Sequence, residues 1–244
     1  MPSPSFPSLV STLCPTGKLR AAINLGNPIL ANLNPATNLP FGVSVDLAQE
    51  LAKRLGVELE LVVVTGAAKS VLALNEQSAD VGFFAIDPLR GAEIAFTAPY
   101  VLIEGCYLVP SDSVIQTNAD VDQAGVRVAV GTGSAYDLYL TRELKNAQIV
   151  REPNAAGVVA AFLAQKLEVA AGIKQALETS AQQLPNLRLL DGHFMVIQQA
   201  MGVPKRFGDE AAAYVAAFVA EMKTSGFVAQ AMTRHGITGA AVAP

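Results

Sequence analysis

The stretch Asp80-Val81-Gly82-Phe83-Phe84-Ala85-Ile86-Asp87-Pro88-Leu89-Arg90 carries the reading of the whole chain. Asp80 to Phe84 has the short apolar run of a buried strand. Asp87 can accept from the backbone N–H groups that follow it, and Pro88 suits a first helical position, so a helix is expected to start here. Arg90 then stands one turn in. A guanidinium at that place can present two parallel N–H donors to a carboxylate, beside the N–H groups of the turn, and both sets favour an anion. An arginine in a first helical turn is also well placed as a solvated surface charge, so the surrounding chain has to decide.

Upstream, Lys18 to Ile23 reads as a strand and Asn24 to Pro40 as a long loop, of the kind that is functional or mobile. A helix opens at Ser44 or Asp46, with Leu47, Ala48, Leu51, Ala52 and Leu55 on one face and Gly56 at its close. The strand Val57 to Val64, the helix Lys69 to Gln77 and the strand Val81 to Phe84 follow. This alternation argues for a mostly parallel sheet covered by helices.

Downstream, Tyr100 to Val109 is apolar and extended, and the polar segment Pro110 to Asp122 interrupts the pattern before a second series. That series reads as strands over Val126 to Val130, Gln148 to Arg151 and Val169 to Gly172, with helices over Ser134 to Leu144, Ala155 to Ala164 and Lys174 to Gln183. Met195 to Val203 is a second extended run, followed by a helix with the apolar stripe Val215, Phe218, Val219 and Met222, and by Phe227 to His235. The expected architecture is α/β in two lobes, each a mostly parallel sheet flanked by helices: residues 1–107 begin the first lobe, 108–195 form the second, and 196–244 return to the first. Two linking strands of this kind permit hinge closure. No internal repeat is visible.

The 244 residues are 51% hydrophobic and 16% charged, which suits a compact globule. Net charge is −4 with 17 Lys and Arg and no basic run, which argues against nucleic acid as a partner. Cys14 and Cys106 match no metal spacing, and His193 and His235 are too few and too separate for a metal site. No apolar run approaches the roughly 20 residues that cross a bilayer, so no membrane insertion is expected. The start, Met1-Pro2-Ser3-Pro4-Ser5-Phe6-Pro7, lacks the basic and apolar regions of a secretory signal. A cytoplasmic protein, or a periplasmic one whose signal has been removed, is expected.

Continuing from Arg90, the chain reads Gly91-Ala92-Glu93-Ile94-Ala95-Phe96-Thr97-Ala98-Pro99-Tyr100. The combined stretch resembles the segment ITxxRxxxxxFTxPY of the family-3 extracellular solute-binding proteins, and the resemblance runs from about Gly17 to Gly236. It implies the type 2 periplasmic-binding-protein fold, a small-molecule carboxylate as ligand, an ABC permease as partner, a monomer, and no cofactor. In that family the arginine matching Arg90 grips the ligand's carboxylate. The run Gly131-Thr132-Gly133-Ser134-Ala135 reads by itself as turn chemistry with Ser134 and Asp137 as a capping pair. It is similar to the GTxxGTT segment of the family's second lobe, which makes Thr132, Gly133, Ser134 and Ala135 candidate ligand contacts. No Walker lysine follows, which argues against a nucleotide.

The departures from the family pattern bear on the ligand. The family's DAVxGD strand ends in an acid that holds a ligand ammonium, whereas here Glu168-Val169-Ala170-Ala171-Gly172-Ile173-Lys174 has Ile173 in its place. A buried ammonium without an anionic partner is costly, so an acid lacking the α-amino group is the expected ligand, with Lys174 as a second positive contact or a solvated helix-start lysine. Asn27 stands where the family stacks an aromatic ring, Ala85 replaces a hydroxyl residue, and the chain has no Trp. Asp87, Asn27 and Ala85 join the candidate set, with Gln198 from the returning strand. The alternatives are an enzyme like the cyclohexadienyl dehydratases, with Asp87, Lys174 and Glu104 as its groups, and a cytoplasmic ligand sensor.

Overall fold

The computed structural model describes residues 6–244. The signal-peptide reading rests mostly on residues 1–5, which lie outside the described residues. The leader that follows them is not irregular: Phe6–Leu13 forms α1, which buries Leu9 and Leu13 and packs on the helix Gly208–Thr224. The chain divides into two compact units. Unit 1 comprises the residues up to Val101, Gln198–Ile237 and Ala241–Pro244, and unit 2 comprises Leu102–Ile197 with Thr238–Ala240. Two of the passages between units fall inside the extended runs, at Val101/Leu102 and Ile197/Gln198, and the short segment Thr238–Ala240 belongs to unit 2 as well.

In unit 1, β1 (Lys18–Asn24) leads through the short ladder of β2 (Asn32–Leu33) and β3 (Pro40–Phe41) into α2 (Val43–Leu55), β4 (Glu58–Val64), α3 (Ala67–Asn75) and β5 (Val81–Ala85). The long Asn/Pro segment is thus partly a hairpin, with Asn32 opposite Phe41 and Leu33 opposite Pro40. β1 lies parallel to β4 from Lys18↔Glu58 to Asn24↔Val64, and to β5 at Ala21↔Val81 and Ala22↔Gly82. The predicted face of α2 is buried, and Gly56 in left-handed geometry ends the helix. Ala22, Ala73, Leu74, Ala79, Phe84 and Ile94 form a core under α3.

β6 (Ile94–Phe96) follows closely on Arg90, which limits the expected helix there to one 3-10 turn, Arg90–Ala92, because the chain is already committed to strand pairing four residues on. The chain leaves unit 1 along β7 (Val101–Pro110).

Unit 2 contains β8 (Arg127–Gly131), α4 (Ala135–Glu143), β9 (Gln148–Glu152), α5 (Val158–Ala164), β10 (Val169–Ile173), α6 (Lys174–Gln183) and β11 (Leu187–Leu189). β8 is parallel to β9 from Arg127↔Gln148 to Gly131↔Glu152 and to β10 at Val128↔Val169, while β7 runs antiparallel on β10 from Leu108↔Ala170 to Gly105↔Ile173. Its core joins Cys106, Leu108, Ala129, Val158, Phe162, Leu167, Ala170 and Leu177. The chain returns along β12 (Met195–Pro204), antiparallel on β5 from Gln199↔Ala85 to Gly202↔Gly82, and β6 also pairs with β12. It closes with α7 (Gly208–Thr224), α8 (Phe227–Arg234) and β13 (Ala240–Val242). Val215, Phe218, Val219 and Met222 are buried as one stripe of α7.

The order β4-β1-β5-β12 in unit 1 is replayed as β9-β8-β10-β7 in unit 2. The replay extends to side chains. Arg20 of β1 donates through Nε and Nη2 to Asp80, at 3.0 and 2.6 Å, and through Nη1 to the Gln77 carbonyl. Arg127 of β8 donates likewise to Glu168, at 2.9 and 2.7 Å, and to the Lys166 carbonyl. Gln77 and Lys166 both take positive φ, at 60° and 49°. The repeat is invisible in the sequence because these units share a pattern of strands, helices and one arginine clamp, not a run of identical residues.

Candidate ligand-binding site

In unit 1 the chain moves from β1 outward to β4 and then across to β5, so the connections at the carboxyl ends of β1 and β5 diverge. Ligands of open parallel sheets bind at such a divergence. The residues beyond these two strand ends are Leu25 to Asn27 and Ile86 to Arg90. Unit 2 repeats the arrangement at β8 and β10, where the corresponding residues are Thr132 to Ala135 and Lys174. Sheet order alone therefore selects the segments that carry eight of the ten candidate residues; Ala85 closes β5, and Gln198 sits on β12 next to the end of β5, its carbonyl accepting from Ile86 N at 2.8 Å.

Arg90 is 5% exposed and donates through Nη1 to the Ala85 carbonyl at 3.0 Å. That places it in the interior, not among the solvated charges. Burial lowers its pKa, opposed by the nearby Asp87, and the side chain stays a cation. Asp87 is 4% exposed. Its Oδ1 accepts from Leu89 N at 2.9 Å and its carbonyl from Gly91 N at 2.9 Å, the capping role predicted for it, so it shapes the turn that carries Arg90. Asn27 accepts through Oδ1 from Ile29 N at 3.3 Å and serves the local turn. Gln198 is exposed, whereas its neighbour Gln199 is buried opposite Ala85.

In unit 2 the glycine turn is tied to the end of β9 and to the first turn of α4. Thr132 donates through both N and Oγ1 to the Glu152 carbonyl, at 2.8 and 2.7 Å. Gly133 N donates to Asp137 Oδ2 at 2.8 Å, and Ser134 Oγ accepts from Asp137 N at 3.1 Å, with Ala135 opening α4. Asp137, buried, also accepts from Arg151 Nε at 2.9 Å. The capping pair is therefore real, and Asp137 with Arg151 is the part that sequence reasoning missed; the signal available was only the Ser134-to-Asp137 spacing. Burial pushes the Tyr136 hydroxyl up to about 12.

Lys174 does not extend into water as a lone charge. Its Nζ donates to Glu104 Oε2 at 2.7 Å, and His193 Nδ1 lies 3.3 Å from Glu104 Oε1. Lys174 holds the Glu104 carboxyl below the usual carboxylate range, and Glu104 raises the lysine in return. His193 belongs to this cluster. Arg90, Ala85, Asp87, Asn27 and Gln198 thus gather in unit 1, and Thr132, Gly133, Ser134, Ala135 and Lys174 in unit 2.

Other features carry none of these residues. A depression of about 390 Å³ on unit 1 is lined by Asp46, Gln49, Glu50, Lys53, Phe227 and Arg234. Among the described residues no group of three or more His, Cys, Asp or Glu is arranged for a metal, and no helix is long and apolar enough to cross a membrane. Cys14 and Cys106 are buried, unbonded thiols, each pushed up to about 11 by burial.

Comparison with known proteins places this arrangement. The glutamine-binding protein of Geobacillus stearothermophilus is 28% identical over 193 residues, 78% of this chain and 73% of that protein. The structure of a mutant of ArgBP from T. maritima matches with a TM-score of 0.78 at 21% identity, over 94% of this chain and all of the other. An ancestral amino acid-binding protein, described as a precursor of cyclohexadienyl dehydratase, matches with a TM-score of 0.74 at 21% identity, over 92% and 97% of the two chains. At such identities the structural likeness is one of fold, and the fold is that of the type 2 periplasmic binding proteins. The profile of the bacterial extracellular solute-binding proteins, family 3, matches residues 27–237, and the chain belongs to that family.

Proposed function

We propose that this protein is the solute-binding component of an ABC-type uptake system, and that its ligand is a small organic acid without an α-ammonium group. The observation that carries the reading is Arg90, an interior guanidinium beyond the carboxyl end of β5, where a carboxylate can take a bidentate, charge-assisted pair of hydrogen bonds. The absence of an ammonium partner is supported by Ile173 and by the state of Glu104: the nearest acid to Ile173 along β7 already has Lys174 on one oxygen and His193 beside the other. The turn Thr132 to Ala135 supplies the candidate contacts of unit 2. Binding proceeds by hinge closure without covalent chemistry, and the protein acts as a monomer delivering to a permease outside the membrane's inner face.

Isothermal titration calorimetry against a panel of small mono- and dicarboxylates and the standard amino acids tests this. Micromolar or tighter binding of an acid that lacks the amino group is expected; tight binding of an ordinary α-amino acid, with no response to any simple acid, would sink it. A lyase is the second reading, supported by the acid–base pair Lys174 and Glu104. Loss of prephenate or arogenate in an absorbance assay would favour it over binding alone.

A further inference from the structure

Unit 2 places a three-member charge cluster at the carboxyl end of β10. The antiparallel register pairs Ile173 with Gly105, so Lys174 and Glu104 are the next residues beyond that pair, the first just after β10 and the second on β7. Lys174 Nζ is 2.7 Å from Glu104 Oε2 and His193 Nδ1 is 3.3 Å from Glu104 Oε1. The backbone holds the third member in place: Phe194 N donates to the Gly105 carbonyl at 2.9 Å and Cys106 Sγ to the Gly192 carbonyl at 3.2 Å. The Met195 side chain fills the space beside Gly105, where a Cβ would lie 2.7 Å from Met195 Cγ. The three side chains are 34–42% exposed, so the cluster is reachable from solvent.

A carboxylate so placed would attract a ligand's ammonium, and its two oxygens are already served by groups of this chain. We propose that Lys174 acts as a tethered substitute for a ligand ammonium, occupying Glu104, the acid next to the strand partner of Ile173, and so excluding α-amino acids in favour of the corresponding acids without the amino group. This rests on the carboxylate-binding reading above and names the residue that sets its charge preference. The device is an element that disfavours the wrong ligand: an arriving ammonium must displace Lys174 from Glu104 and meets its like charge on approach. An acid without the amino group leaves the pair intact.

The consequence is that removing Lys174 unmasks Glu104. Matched probes that differ only in the α-amino group read it out: glutarate with L-glutamate, 4-methylpentanoate with L-leucine, and 3-phenylpropanoate with L-phenylalanine. Calorimetry on the wild type, on Lys174→Met, on Lys174→Gln as a second neutral replacement, and on Lys174→Met combined with Glu104→Gln gives the comparison. For the pair whose acid the wild type binds, the single variants are expected to shift the affinity ratio at least about tenfold toward the amino form, and the double variant to lose that gain. Acid binding by the wild type with an unchanged ratio in both single variants overturns this inference alone, as does a gain that survives in the double variant. Failure of every probe to bind any of the folded proteins overturns the carboxylate reading and this inference with it.

Discussion

Arg90 joins two properties that are costly to combine, a permanent charge and an interior position. The cost is offset locally by the Ala85 carbonyl and by the field of Asp87. An anion that reaches it gains hydrogen bonds to a charged donor, about 1.5–3 kcal/mol each. Arg90→Ala is therefore expected to weaken binding of the acid at least roughly tenfold while the protein stays folded, and Arg90→Lys to recover only part, because an ammonium cannot reproduce the planar fork. Calorimetry with the melting temperature as the control for folding checks both; unchanged affinity in Arg90→Ala would show that Arg90 does not anchor the ligand. In unit 2, the proposed ligand preference makes Ile173→Asp expected to repel simple acids and to improve the tolerance of α-amino acids, measured on the same titrations. No change in preference would show that Ile173 does not face the ligand.

At the scale of elements, most of the candidate contacts sit on turns held by hydrogen bonds within the turn and, in unit 2, from the neighbouring strand β9. Asp137 holds the turn before α4 by accepting from Gly133 N and from Arg151, whose side chain is 44% exposed. Breaking a buried pair costs about 3–5 kcal/mol, and the exposure of Arg151 reduces this. Asp137→Ala is expected to cost roughly 1–3 kcal/mol in urea unfolding, and to weaken ligand binding as well because Gly133 is released. A loss of stability with full affinity would mean that the turn is only structural. In unit 1, Gly42 performs a comparable service. It has φ 128°, and a Cβ there would lie 2.4 Å from the Leu30 carbonyl oxygen, which also accepts from Ser44 N at 3.1 Å. Gly42→Ala combines a left-handed backbone with a backbone clash, and a loss of about 2 kcal/mol or more is expected from the unfolding midpoint.

At the scale of the molecule, the two units share one topology but differ in how they use acids. In unit 2, four carboxyls lie below their ordinary values: Glu168 through Arg127, Asp122 through the backbone N–H groups of Ala147, Asn146 and Lys145, Asp120 through those of Thr117 and Gln116, and Glu104 through Lys174. In unit 1 Glu221, through Arg54, is the corresponding case among the described residues. A carboxyl depressed in the folded state binds its proton more readily when unfolded, so its stabilisation is present above the ordinary values of 3.8 and 4.5 and is lost as pH falls through the depressed ones. Acid is therefore expected to loosen unit 2 before unit 1. Hydrogen exchange followed by mass spectrometry between pH 6 and pH 3 checks the order; earlier loss of protection in the residues of unit 1 would contradict it.

Periodicity and turn chemistry by themselves determined most of the elements: the apolar face of α2, the stripe of α7, the helix from Lys174 to Gln183 and both extended runs that link the units were legible because each depends on local spacing. The family was legible too, since the arginine segment and its continuation keep their order. Three things were decided only by tertiary structure. The helix expected at Arg90 shrank to one turn, because strand pairing of Ile94 to Phe96 with β12 outweighs a local propensity of a few tenths of a kcal/mol per residue. The repeat of sheet order and arginine clamps lies in pairings between residues far apart in sequence. The partners of Glu104 come from positions 174 and 193, brought together by the β7 and β10 register and by the hydrogen bond from Phe194 N to the Gly105 carbonyl, and no pattern along the chain contains that register.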